Sequence, residues 1–268
     1  MWVTLRKLVA KPKQARLNKP LLPYPSTAVR SQGKASNVVI VCISGRAGGV
    51  STSGMSKLQN TLRNKLTSKF GIKATHIFHR SWNEQQDSNP FGAPLIIDLI
   101  QEINARSIKP SYLAIIGHSF GGWAACRLSR VTKSKPNFIG LIDPVFGYSN
   151  KLTSGDVPNG AVIKNWYQEY GITGGEACRG GKGKIPCVPH TNGLSCGFQT
   201  IPGARFDKNV IFLRTWGGKK QLVNCGGKGR VALRASHIDI DDDEWIHHQI
   251  FNQIDKDLSK LLKNKRGS

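Results

Sequence analysis

The chain has 268 residues, of which 39 are Lys or Arg and 16 are Asp or Glu, giving a formal net charge of +23. This length suits one large domain or two small ones, and 39% hydrophobic residues can build a core, which excludes wholesale disorder. No apolar stretch approaches the roughly 20 residues that cross a membrane, and no secretory signal is visible, so a cytoplasmic location is the default expectation. The charge suits an anionic partner: a membrane surface, acidic polysaccharide or nucleic acid, although no specific nucleic-acid motif is present.

The first 36 residues differ from the rest of the sequence. They hold eight Lys or Arg and no acid, and the first acidic residue of the chain is Glu84. Four prolines between positions 12 and 25 exclude a long helix there. We therefore expect residues 1–36 to be a disordered basic arm and residues 37–268 to form the folded domain.

Apolar runs and amphipathic segments alternate from residue 37 onward. Strands are predicted at 37–44, 74–79, 112–116, 138–142, 161–167 and 209–215, and helices at 55–70, 93–105, 121–131 and 242–262. This alternation predicts an α/β fold with a mostly parallel sheet flanked by helices. The pattern loosens at about 150–230, which is predicted to be an insertion or lid, with the Gly- and Cys-rich residues 171–230 outside the sheet.

Gly117–Gly122 (GHSFGG) matches the motif G-x-S-x-G, directly after a predicted strand and before a predicted helix. A sharp strand-to-helix turn lifts the serine hydroxyl clear of the sheet, and the first amides of the helix point at a developing oxyanion. The motif therefore predicts Ser119 as a nucleophile.

A serine nucleophile needs a base. The histidines after Ser119 are His190, His237, His247 and His248. His247 and His248 lie inside the last predicted helix, where packing or solvent-facing roles are expected, and His190 lies in the Gly- and Cys-rich region. His237 precedes the last helix in a loop, so it is the predicted base.

The base in turn needs an acid that holds its tautomer. Asp143 ends an apolar strand, and open α/β sheets carry functional groups at that end of their strands. Glu169 follows the next strand along the chain and remains the alternative.

These motifs resemble the α/β-hydrolase superfamily, and more narrowly the lipases. Gly117–Gly122 resembles the lipase nucleophile turn G-H-S-x-G-G, and Gly140–Pro144 (GLIDP) is similar to the G-L-D-P segment of animal pancreatic-type lipases. The resemblance covers roughly residues 37–145, the His237 loop and the last helix. It implies an α/β-hydrolase fold with Ser119, Asp143 and His237 as a catalytic triad.

The same resemblance implies an oxyanion hole. One donor is the amide of Phe120, and the other comes from the loop after an earlier strand, where Gly45 or Arg46 is expected. The implied activity is hydrolysis of a lipid, a small ester or a thioester through an acyl-enzyme, without a cofactor. The alternative is a non-catalytic protein of this fold that binds anionic surfaces through its basic arm.

Cys42 and Cys126 fall in a predicted strand and a predicted helix, so both are expected to be buried free thiols. Four cysteines lie in the Gly-rich region: Cys178, Cys187, Cys196 and Cys225. They could form two disulfides or stay reduced in a cytoplasm, and they lack the C-x-x-C spacing of a zinc site. Asp239–Asp243 lacks the Gly and Glu of a calcium loop, so helix capping is predicted instead and no metal is expected.

Overall fold

A parallel β-sheet of six strands forms the centre of the computed structural model, which describes residues 37–46, 54–82, 93–147, 149–173 and 196–264. The strands are β1 (Val38–Ser44), β2 (Ile77–Ser81), β3 (Tyr112–His118), β4 (Phe138–Ile142), β5 (Val162–Tyr167) and β6 (Phe206–Asn209). Their order is β2-β1-β3-β4-β5-β6, and every neighbouring pair is parallel. Every residue of β1, β3 and β4 is buried, as continuous apolar strands covered on both faces require.

Helices cover both faces of this sheet. They are α1 (Gly54–Phe70), α2 (Ala93–Arg106), α3 (Phe120–Val131) and α4 (Glu244–Asn264). α1 and α4 share one core cluster, which contains Leu58 and Ile250, while α2 and α3 share a second, which contains Leu99 and Ala125. A parallel sheet between two helical layers confirms the predicted α/β class.

The strand order creates a topological switch between β1 and β3. From β1 the chain moves to β2 on one side, and from β2 it returns to β3 on the other side of β1. Ile43 of β1 pairs in register with Gly117 of β3, so Gly45 and Ser119 follow at the same edge of the sheet. Open α/β sheets bind ligands in the crevice at such a switch.

The predicted insertion at about 150–230 contains two strands of the central sheet. β5 is one of them, and β6 pairs with β5, so the prediction that residues 171–230 lie outside the sheet is wrong for β6. Beyond β6, β7 (Leu222–Asn224) and β8 (Arg230–Ala232) form a small antiparallel pair of their own.

The predicted strand at 209–215 is also wrong. β6 ends at Asn209, which is the first residue of that predicted strand. Isolated antiparallel bridges follow at Phe212 and Arg214. Val210 and Leu213 are buried in the cluster shared by α1 and α4. A short apolar run can be buried by packing as well as by pairing in a sheet, and hydrophobic periodicity does not distinguish the two.

Two of the six cysteines are buried free thiols, Cys42 and Cys126, as predicted. Burial raises the pKa of Cys42 to about 12, which keeps this thiol unreactive. Cys196 and Cys225 are disulfide-bonded. Cys178 and Cys187 lie outside the described residues.

The basic arm predicted at residues 1–36 also lies outside the described residues. Within the described part of the chain, no helix is both long enough and apolar enough to cross a membrane.

Candidate active site

Ser119 occupies the sharp turn between β3 and α3. Its backbone has φ 57° and ψ −127°, a conformation that non-glycine residues rarely adopt. Its carbonyl accepts hydrogen bonds from the amides of Gly122 (2.9 Å) and Val145 (3.0 Å). Gly121 must be a glycine, because a Cβ there would lie 2.2 Å from the carbonyl oxygen of Ile43. Close packing therefore fixes the serine at the carboxyl end of the sheet.

His237 lies beside the Ser119 hydroxyl. Ser119 Oγ is 2.8 Å from His237 Nε2, and His237 Nδ1 is 2.7 Å from Asp143 Oδ2. A carboxylate oxygen accepts, so Nδ1 carries the ring proton and Nε2 accepts from the serine hydroxyl. The exposed fractions are 4% for Ser119, 0% for Asp143 and 6% for His237, so this hydrogen-bonded chain is largely shielded from bulk water.

The carboxylate of Asp143 accepts four hydrogen bonds. Oδ2 accepts from His237 Nδ1 and from Gln168 Nε2, the latter at 2.9 Å. Oδ1 accepts from the backbone amides of Gln168 (3.1 Å) and Gly197 (2.8 Å). A buried carboxylate is tolerated when its oxygens have such donors. The four bonds also hold the carboxylate facing the imidazole.

Gln168 is a site residue that the sequence analysis did not identify. It directly follows β5, and this position at the carboxyl edge of the sheet is the signal that could have found it. The alternative acid, Glu169, is not beside His237: it is exposed, and its Oε1 accepts from Gln199 Nε2 at 3.0 Å. The chain bends at Glu169: Gln168 is buried against Asp143, and the side chain that follows it is exposed.

Two of the three predicted oxyanion residues lie next to the nucleophile, Phe120 in the chain and Gly45 in space. Phe120 is the first residue of α3, at the positive end of the helix dipole. Gly45 packs against Ser119, since a Cβ at Gly45 would lie 2.4 Å from Ser119 Cβ and 2.9 Å from its Oγ. Arg46 is exposed, and residues 47–53 of the same loop lie outside the described residues. The donor roles of Phe120, Gly45 and Arg46 stay predictions.

The two other candidate histidines among the described residues, His247 and His248, have partners other than the serine hydroxyl. His247 is buried in α4 and its Nε2 is 2.6 Å from the carbonyl oxygen of Asp241. The ring of His248 stacks on Trp216 at 4.6 Å between centroids. Both have the packing roles that the sequence indicated, and His190 lies outside the described residues.

The acidic run Asp239–Asp243 ends at the start of α4. Asp243 Oδ1 accepts a hydrogen bond from the amide of Ile246 at 2.9 Å, which confirms the predicted helix-capping role for this residue. Among the described residues, no three His, Cys, Asp or Glu side chains are grouped to hold a metal ion.

No family model and no curated protein matches the chain. One similar solved structure is a protein from Xanthomonas campestris pv. campestris assigned to the α/β superfamily of hydrolases. The match has 14% identity and a TM-score of 0.29, and covers 48% of this chain and 71% of that one. A second, assigned as a YdeN-like hydrolase from Pectobacterium atrosepticum, has 12% identity and a TM-score of 0.29, and covers 49% of this chain and 63% of that one.

Because both TM-scores are 0.29, the fold of the present chain is assigned from its own topology. The strand order, the helices on both faces and the serine turn beside the switch point are all features of the structure itself. By these features the chain has the α/β-hydrolase type of fold that its sequence predicts.

Proposed function

We propose that the protein is a serine hydrolase that cleaves carboxylic esters through an acyl-enzyme. The observation that carries the proposal is the unbroken hydrogen-bonded chain from Ser119 through His237 to Asp143, with distances of 2.8 and 2.7 Å. A nucleophile within reach of a base, and a base oriented by a third group, form the geometric signature of nucleophilic catalysis.

Each residue of the chain has a distinct role in this mechanism. His237 Nε2 takes the proton of the Ser119 hydroxyl as Oγ attacks the ester carbonyl carbon. Asp143 keeps the ring in the tautomer that presents Nε2 to the serine, and stabilises the imidazolium that forms. The amides of Phe120 and of Gly45 or Arg46 stabilise the negative charge on the carbonyl oxygen.

The tetrahedral intermediate then collapses. The bond to the leaving alkoxide breaks as His237 Nε2 returns its proton to that oxygen, which leaves an acyl ester on Ser119. A water molecule enters, His237 takes one of its protons, and the hydroxide attacks the acyl carbon. The acid product leaves, and the proton on His237 returns to Ser119 Oγ, so no cofactor is required.

A non-catalytic protein that binds anionic surfaces through residues 1–36 is the alternative function. Surface binding requires the positive charge of the arm, but it does not require hydrogen bonds that link Ser119, His237 and Asp143. A non-glycine residue at positive φ costs about 1–3 kcal/mol, and a buried carboxylate needs several donors. A protein that only binds a surface gains nothing from either feature, so we favour hydrolysis.

Fluorophosphonate labelling tests the proposal directly. The wild-type protein should be labelled once and should hydrolyse short p-nitrophenyl esters, whereas Ser119→Ala should do neither. Ser129→Ala is the matched control, because Ser129 is a buried serine in α3, the helix that follows Ser119, and its hydroxyl donates to the carbonyl of Cys126 at 2.6 Å. It should label like the wild type. An unlabelled wild-type protein, or a labelled and folded Ser119→Ala, would overturn the proposal.

A further inference from the structure

His118, the residue before the nucleophile, contacts the backbone of the base. His118 is 8% exposed, and its Nε2 lies 2.8 Å from the carbonyl oxygen of His237. A carbonyl oxygen only accepts, so Nε2 of His118 carries a proton and donates it to this bond. His118 has no role in the proposed mechanism, although the centroid of the His118 ring is 5.2 Å from that of His237.

The other side of the His118 ring faces Asp241. His118 Nδ1 is 3.7 Å from Asp241 Oδ2, and the same oxygen accepts a hydrogen bond from the amide of Met55 at 3.2 Å. The carbonyl of Asp241 is 2.6 Å from His247 Nε2. Asp241 therefore joins the loop after His237 to the first turn of α1 and to α4, while His118 joins that loop to β3.

We propose that His118 is a positioning residue for the proposed reaction: its ring N–H holds the backbone of His237 so that the imidazole meets Ser119. The inference rests on the proposed function. Two consecutive residues, His118 and Ser119, bond to the carbonyl and to the ring of the same histidine, at 2.8 Å each. These two hydrogen bonds link the turn that carries Ser119 to the loop that carries His237, so the serine and the base are held in a fixed position relative to each other.

This link matters because His237 lies in a loop outside the central sheet, where individual hydrogen bonds set its position. It follows an irregular stretch, and its amide donates to the carbonyl of Gly171 at 2.9 Å. Without the His118 bond, the carbonyl of His237 loses a buried donor and the loop can shift. A displacement of about 1 Å in a catalytic group can cost about 100-fold in rate.

His118 is suited to this task because it is neutral. Burial lowers its pKa, opposed by the nearby carboxylates of Asp241 and Asp143. The neutral ring donates one hydrogen bond without placing a second positive charge beside the imidazolium that forms on His237.

Three substitutions at position 118 separate the hydrogen bond from simple filling of space. His118→Phe keeps an aromatic ring but has no donor. His118→Gln carries an amide nitrogen at about the reach of Nε2, and His118→Asn carries one only at the reach of Nδ1. We expect His118→Phe and His118→Asn to lower kcat and the fluorophosphonate labelling rate by about 10- to 100-fold. KM should change little, and His118→Gln should recover most of the loss.

His76 provides the matched control. It is also a buried histidine bonded to a backbone carbonyl, with Nδ1 3.0 Å from the oxygen of Val38, but at the opposite end of β1 from Ser119. His76→Phe should lower the melting temperature while kcat stays at the wild-type value. Melting temperatures of all variants identify any loss of kcat that follows from unfolding.

The outcomes separate the two proposals. If the wild type is labelled and His118→Phe reacts at the same rate, the positioning role is wrong while the hydrolase survives. Equal losses in folded His118→Gln and His118→Asn would also overturn it, because only Gln can replace the bond. This pair decides the question even if His118→Phe does not fold. An unlabelled wild type overturns the proposed function itself.

Discussion

Ser119 and Asp143 directly follow buried parallel strands, whereas His237 follows a region of short antiparallel strands and isolated bridges. In the first region, residues 37–147, the register of the sheet brings the ends of β3 and β4 side by side, with His118 opposite Ile142. In the second region, residues 149–240, β5 and β6 extend the sheet, but His237 lies beyond them in a loop that is held by individual hydrogen bonds. One site thus combines a part fixed by sheet geometry with a part fixed by individual hydrogen bonds.

The second region also differs in charge. Residues 205–234 hold eight Lys or Arg and a single acid, Asp207. Several of these cations lie over aromatic rings: Arg214 is 3.6 Å from the centroid of Trp245, and Lys220 is 4.3 Å from that of Phe212. Such contacts contribute about 0.5–2 kcal/mol each. The part of this region beyond β6 is therefore held by many weak interactions, in contrast to the deeply buried strands of the first.

The largest expected effect is at Asp143, the point where the two regions meet. Asp143→Asn should lower kcat roughly 10⁴-fold, because an amide can favour the wrong tautomer of His237. Glu169→Gln is the control from the second region and should be close to wild type, since Glu169 is exposed and bonded to Gln199. Steady-state kinetics on a p-nitrophenyl ester measures both. A larger loss in Glu169→Gln would return the role of the acid to that residue.

A smaller effect should follow from reducing the disulfides, and it should arise in the second region. Each bridge contributes about 2–4 kcal/mol to the free energy of unfolding. Gly197, which donates to Asp143, is adjacent to disulfide-bonded Cys196, so reduction should also lower kcat. Denaturant unfolding and kinetics, each with and without reductant, measure these effects. The control is Cys126→Ala, which removes a free thiol and should leave the response to reductant unchanged.

Alkylation of the denatured protein checks the premise of that experiment. If the four cysteines of the Gly-rich region form two disulfides, only the thiols of Cys42 and Cys126 should react without reductant. After reduction, all six cysteines should react. Six reactive thiols before reduction, in protein purified under oxidising conditions, would contradict the disulfides.

The smallest effect on chemistry is expected outside both regions, in the basic arm. Deleting residues 1–36 should leave hydrolysis of a soluble short-chain ester nearly unchanged, because the predicted core begins at Asn37. It should weaken binding to anionic vesicles, since each basic residue near such a surface contributes about 1 kcal/mol and the arm has eight. Co-sedimentation at low and high salt, with neutral vesicles as the control, measures this. Full-length protein that ignores anionic vesicles at low salt would exclude membrane docking by the arm.

The sequence predicted the first region better than the second. Ser119 and Asp143 are marked by local patterns, since each directly follows an apolar run. His237 could be identified by its order in the chain and its place before the last helix. The strand predicted at 209–215 was wrong because an apolar run does not reveal whether it pairs or packs.

Gln168 and the contact of His118 with His237 were missed for a related reason. His118 and His237 are 119 positions apart, and no local pattern links them. Gln168 gave one usable signal, its place directly after β5, but an amide at a strand end has many possible roles. Contacts that tie the second region to the first depend on the tertiary fold, which periodicity and motifs do not encode.

The chain order of the site has a consequence for its biosynthesis. A chain is made from its N-terminus, and its early parts can fold first. Ser119 and Asp143 both belong to the first region, which is synthesised first. His237 is synthesised later, seven positions before α4 begins at Glu244. α4 then packs with α1 in one core cluster. A nascent chain that ends before His237 has the serine and the acid of the proposed triad but no base, so the proposed reaction cannot begin until the residues that follow β8 have been made.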